Sequence, residues 1–155
     1  MISETRAVQV LKVFLAGLFF LFTILKTLSF PGQFAYMART SPADSPWRWP
    51  LTFAVGFIFL CAQVVIISIW QLLNLINREE FFTSKSIALF NRMLKALLAS
   101  TIFPVAFLVF LLIVADDPGM PMVVITFTTA LGVIILLTYV LKTRTQKAIE
   151  LITKN

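Results

Sequence analysis

The spacing of charge along this chain limits its fold more than any other feature. No Asp, Glu, Lys or Arg occurs in the 29 residues from Trp49 to Asn77, the 20 from Ala96 to Ala115, or the 24 from Pro118 to Leu141. A helix rises about 1.5 Å per residue, so a hydrocarbon core near 30 Å needs about 20 apolar residues. Three spans follow, at Leu51–Ile76, Ala96–Ala115 and Pro121–Leu141. A fourth, Val8–Phe30, has an uninterrupted apolar centre of 13 residues between Lys12 and Lys26. Both lysines lie near its ends, where flexible stems carry ammonium groups to the head-group layers. Apolar residues make up 59% of the 155 and charged residues 13%, against roughly 45–50% and about 25% in soluble domains. The expectation is a single all-α membrane domain over 1–155, with four transmembrane helices.

Arg6 and Lys12 before a short apolar core also fit a signal peptide. Cleavage after Ala35 or Ala38 would, however, place Gln33 or Tyr36 where a small residue is needed, which favours an uncleaved span. Pro104 should bend span three, because it removes a backbone donor and crowds the preceding turn. The link "DDPGM" between spans three and four has room only for a tight turn, so these two helices should be antiparallel neighbours.

Basic residues set the expected orientation. Arg6, Lys12, Arg78, Lys85, Arg92, Lys95, Lys142, Arg144, Lys147 and Lys154 fall on one side of a four-span chain. Only Arg39, Arg48 and the boundary residue Lys26 fall on the other, with Asp44, Asp116 and Asp117. Ten cations against three place both termini and the central loop in the cytoplasm, in a multi-pass protein of the inner or plasma membrane. Trp47 and Trp49 then fit the outer aromatic belt and Tyr139 the inner one.

The central loop, "REEFFTSKSIALFNRMLK", concentrates four cations and two carboxylates between long uncharged runs. Thr83 or Ser84 can cap a helix over 83–95. At 100° per residue Ile87, Phe90, Leu94 and Leu97 share one side, while Lys85, Arg92 and Lys95 point the other way. This is an amphipathic helix with a basic face, suited to an anionic leaflet. The plain reading is a solvated loop held inside by its charge. The sharper reading is a docking surface for lipid head groups or for a membrane or cytoplasmic protein, with Arg78, Lys85, Arg92, Lys95, Phe81 and Phe82 as the contact residues. The two glutamates and the short loop argue against nucleic acid.

The end of span two, "IWQLLNLIN", together with that loop resembles an uncharacterised bacterial membrane family defined by a domain of unknown function. Its members have four helices and a central pattern of helix end, polar step, Phe and basic amphipathic helix. The resemblance covers nearly the whole chain by span layout. It implies a gene beside a small Cro/CI-type helix-turn-helix regulator, and no chemistry. The family usually has Gly before the Phe step, where this chain has Arg78, Glu79 and Glu80, and commonly Asn opening the next helix, where this chain has Ser84 or Ser86.

An ionisable group deep in a span is a functional candidate by default. Lys26 alone qualifies; it either snorkels to the outer face or pairs with Asp116 or Asp117. Gln63, Gln71 and Asn74 form a polar face on span two. Thr128 and Gly132 have the small-xxx-small spacing of close helix approach on span four, whose threonines are candidates for interhelical hydrogen bonds. Histidine is absent and Cys61 is the only cysteine, which removes Cys/His zinc clusters, disulfides within the chain and Cys–His catalysis. No catalytic constellation, metal set or cofactor is expected. The leading functional reading is a non-enzymatic regulatory or accessory subunit, and homo-oligomerisation is compatible with it. The alternative is a small transporter or channel that uses the polar faces of spans two and four.

Overall fold

The computed structural model describes residues 4–114 and 118–154, and every regular element among them is helical. In chain order these are α1 (Glu4–Ile24), a π-helical turn (Leu25–Ser29), α2 (Phe30–Thr40), a 3-10 turn (Pro42–Trp47), α3 (Arg48–Asn77), α4 (Ser84–Ser100), α5 (Ile102–Val114) and α6 (Gly119–Lys154). Four segments are long and apolar enough to cross a membrane: Arg6–Thr40, Arg48–Asn77, Ser84–Ile113 and Gly119–Lys154. Large apolar side chains lie bare along them, among them Phe14 at 72%, Leu28 at 71% and Ile113 at 79% exposure. Lipid is the solvent that such surfaces require. The chain is a multi-pass membrane protein.

These residues group into two compact units, one through Ile66 and one from Ile67 onward, with α3 contributing to both. In the first unit the helix of span one does not stop near Phe30. A π turn carries it through Lys26, and the Phe30 N–H donates five residues back to the Leu25 carbonyl. Pro31 sits in the first turn of α2, where its missing donor is tolerated. The helix ends only at Ser41, held extended (φ −130°) by Pro42 after it. Phe59 of α3 meets Phe22 edge-on at 5.0 Å and Phe30 at 5.4 Å between ring centroids.

In the second unit α6 packs on both α4 and α5, so it runs back along them. The packing follows a heptad rhythm. Ser86, Phe90, Met93, Leu97, Ser100 and Pro104 are all buried, at alternating steps of four and three. On α6, Pro121, Thr138 and Thr145 are buried, and Val124, Thr128, Leu131, Ile135, Lys142 and Ile149 are half-buried. Those nine positions alternate steps of three and four. Steps of this kind keep one stripe of a helix on its neighbour, as in knobs-into-holes packing. Small hydroxylated residues recur in both stripes, as they do at membrane helix contacts.

The expected 83–95 helix does not stop there but runs on as α4 to Ser100, so that α4 and α5 together make up the apolar segment Ser84–Ile113, with an interruption at Thr101. Pro104 is the reason. It has no N–H for the Ser100 carbonyl, and the helix breaks one turn before the ring. The Ser100 and Thr101 hydroxyls donate to the Leu97 and Leu98 carbonyls, both at 2.7 Å. The α6 helix continues beyond Leu141 to Lys154, because nothing after Gly132 in that stretch is a Gly or Pro.

Candidate functional site

The loop between α3 and α4 is tightly built. The last turn of α3 closes with Glu80 N–H on the Leu75 carbonyl at 3.0 Å and Glu79 N–H on the Ile76 carbonyl at 3.1 Å. That paired pattern is the Schellman ending, and it requires a left-handed residue one place beyond the cap. Glu79 takes that conformation, with φ 58°. Glycine adopts it without cost, so a glutamate there is held by its surroundings. The Thr83 hydroxyl donates to the Glu80 carbonyl at 2.8 Å rather than capping α4, and the buried Ser86 hydroxyl donates to the Phe81 carbonyl. The Phe81 ring lies edge-on to Phe82 at 5.3 Å and to Phe90 at 6.5 Å. Phe81 is half-buried, whereas Phe82 stays 52% exposed.

This ending turns the chain so that α4 lies beside the last turns of α3. Gln71, Asn74, Leu75 and Arg78 of that end, with Lys85, Ala88, Leu89 and Arg92 of α4, line one groove of about 380 Å³. Arg92 Nη1 donates to Gln71 Oε1 at 3.2 Å. Lys85 Nζ meets Glu80 Oε2 at 3.3 Å across exposed side chains, a pair worth little in water. Three of the four expected loop cations and two of the three expected amides thus converge. Lys95 is exposed on α4 and lies outside the groove lining.

The third amide, Gln63, serves a different centre in the first unit. It is 5% exposed. Its Oε1 accepts from Lys26 Nζ at 2.6 Å, and its Nε2 donates to Thr23 Oγ1 at 2.8 Å and the Phe19 carbonyl at 3.4 Å. Gln63 lies 15 residues from Arg48 and 14 from Asn77, the middle of α3. Lys26 therefore meets its partner at the centre of a long apolar helix, inside the π turn. Thr23 was not among the expected residues; its place three residues before Lys26, one helical turn away, was the available signal. Asp116 and Asp117, the other expected partners of Lys26, lie outside the described residues.

Three threonines of span four are satisfied within their own helix. Thr126, Thr128 and Thr138 donate to the Met122, Val124 and Ile134 carbonyls at 2.7–2.8 Å. Each hydroxyl has one proton, so the interhelical bonds expected of them are not donated. In a site without water the carbonyl four residues back is the nearest acceptor. A Cβ on Gly132 would meet nothing within 4 Å among the described residues, so none of them packs closely there. Among the described residues no group of three or more His, Cys, Asp or Glu could hold a metal ion.

A family model described as "Protein of unknown function (DUF2975)" matches residues 32–155. The match begins inside α2 and takes in the groove, leaving Lys26 outside it. No curated protein and no solved structure matches the chain.

Proposed function

The chain belongs to the DUF2975 family of proteins of unknown function, and from that premise we propose that it is a non-enzymatic accessory or regulatory membrane subunit that works by contact. The observation that carries this reading is the convergence of Arg78, Lys85 and Arg92 with Gln71 and Asn74 in one groove. Fixed cations beside amide groups recognise anionic partners and need no reacting group of their own. Both termini and the groove face the cytoplasm in this reading. Ten cations lie on that side, and two remain opposite once Lys26, bonded to Gln63, is set aside. The membrane is a bacterial cell membrane, inner or plasma, in this reading. A neighbouring Cro/CI-type regulator is the kind of cytoplasmic protein such a surface would serve.

The test is site-specific photocrosslinking from Phe82 in living cells. Contact predicts one or a few discrete adducts that vanish in Arg78→Glu and Arg92→Glu while protein levels hold. Adducts unchanged by those reversals would remove the groove from the function. Orientation is checked with Phe82→Cys in a Cys61→Ala background. An impermeant thiol reagent should label it in inverted vesicles and not in intact cells.

One specific observation favours the second reading, transport. The Lys26–Gln63–Thr23 chain places polar groups midway along apolar helices, where charge is costly and commonly marks a path. Reconstituted vesicles that pass an ion or small solute, and stop doing so in Gln63→Leu, would establish it.

A further inference from the structure

We propose that the groove between the end of α3 and the start of α4 binds the phosphate of an anionic phospholipid. This deepens the contact reading of the same groove and rests on it.

Three features point to this ligand. The first is chemical. Arg78 and Arg92 bring planar guanidinium groups to one cavity, and such groups match phosphate oxygens two at a time. Arg92 spends one of its five N–H donors on Gln71, which fixes the side chain and leaves the others for a ligand. Lys85 is offset by Glu80, so the two arginines supply the main charge. The Gln71 amide, whose oxygen accepts from Arg92, adds its nitrogen as a donor for an ester or hydroxyl oxygen.

The second feature is position. The groove lies at the last turns of a 30-residue apolar helix, where the uncharged run ends and Arg78 begins. Head groups occupy that level of a bilayer. The third is the wall. Leu75, Ala88 and Leu89 line the same cavity as the cations. A free phosphate would leave this apolar surface uncovered, whereas the glycerol and first methylenes of a lipid would cover it. A volume near 380 Å³ is at the low end for small-molecule sites, room for a phosphate and the glycerol beside it.

Native mass spectrometry of the full chain in neutral detergent tests the proposal. Phosphatidylglycerol and phosphatidylcholine are titrated separately, and inorganic phosphate and glycerol 3-phosphate serve as soluble competitors. The wild type should retain one phosphatidylglycerol at least about tenfold more tightly than phosphatidylcholine. Arg78→Gln and Arg92→Gln should each weaken it about tenfold, the loss of a charge-assisted hydrogen bond. Arg92→Lys, which keeps the charge and perturbs the fold least, should fall between. Lys95→Gln removes the same charge outside the groove and should change binding less than about twofold, as expected of a screened surface charge.

Equal losses in all three Gln variants would show diffuse surface attraction and overturn the site. So would the absence of any preference over phosphatidylcholine. Displacement by inorganic phosphate at concentrations comparable with the lipid would assign the site to a soluble anion instead. A wild type with no lipid preference, whose discrete Phe82 adducts still vanish in Arg78→Glu and Arg92→Glu, would overturn this inference alone. Lipid preference lost in the Arg78 and Arg92 variants, with Phe82 adducts absent from the wild type or unchanged by Arg78→Glu and Arg92→Glu, would overturn protein contact alone.

Discussion

Glu79 shows how a single residue can be legible in kind and not in cause. The sequence marks this place only as a charged step after span two, whereas the Schellman ending of α3 needs a positive φ at that residue, a conformation that suits glycine. A Cβ in the left-handed region costs about 1–2 kcal/mol. Glu79→Gly should therefore stabilise the detergent-solubilised protein by about 1 kcal/mol in thermal unfolding. Glu80→Gly, which removes the exposed partner of Lys85 and relieves no strain, should not. Gln63 is the opposite case, a residue whose type was noticed but whose partner was not. Its amide holds the Lys26 ammonium, and Gln63→Leu leaves that charge unsatisfied in an apolar setting, a loss of about 2 kcal/mol or more. Adding Lys26→Met should restore most of it, since removing both partners removes the unmet donor. Recovery by the double variant in thermal unfolding is the check; a simple sum of two losses would mean that the bond contributes nothing.

At the scale of elements, α4 and α5 show how local and tertiary terms divide the work. The rhythm of apolar and basic residues makes a helix of the central segment, and its buried and exposed residues largely follow that rhythm. Phe90 and Leu97 are buried, Ile87 and Leu94 half-buried, and Lys85, Arg92 and Lys95 exposed. The rhythm does not say where this helix gives way to the next. Pro104 does, through the carbonyl it leaves at Ser100. Pro104→Ala should join α4 and α5 into one helix, seen in hydrogen exchange as increased protection of the amides near Thr101 and at the substituted position. A break that persists would place its cause in the packing against α6.

At the scale of the molecule, the placement of apolar surface defines the environment. Val133 is 59% exposed in the middle of α6, and Leu151 is 66% exposed in the same helix beyond Lys142. Similar exposure should have unequal consequences if lipid surrounds only the first. Val133→Lys should lower membrane insertion by about 2.5–3.5 kcal/mol, the cost of a lysine at mid-span, and Leu151→Lys should be almost without effect. A glycosylation-reporter insertion assay measures both, and similar values would deny a bilayer around Val133.

The chain's own order of residues determined that four helices are long and oily enough to cross a membrane, and that charge collects at one central hinge. Both are local quantities, length times hydropathy, and a stretch of chain carries them whatever its neighbours do. Which polar residues meet was decided only by tertiary structure. Lys26 finds Gln63 at 37 residues' separation and Arg92 finds Gln71 at 21, so an apparent single polar face on α3 serves two separate centres. Such pairings depend on how rigid helices rotate and slide against one another, and a periodicity read along one helix holds no record of its neighbour's angle.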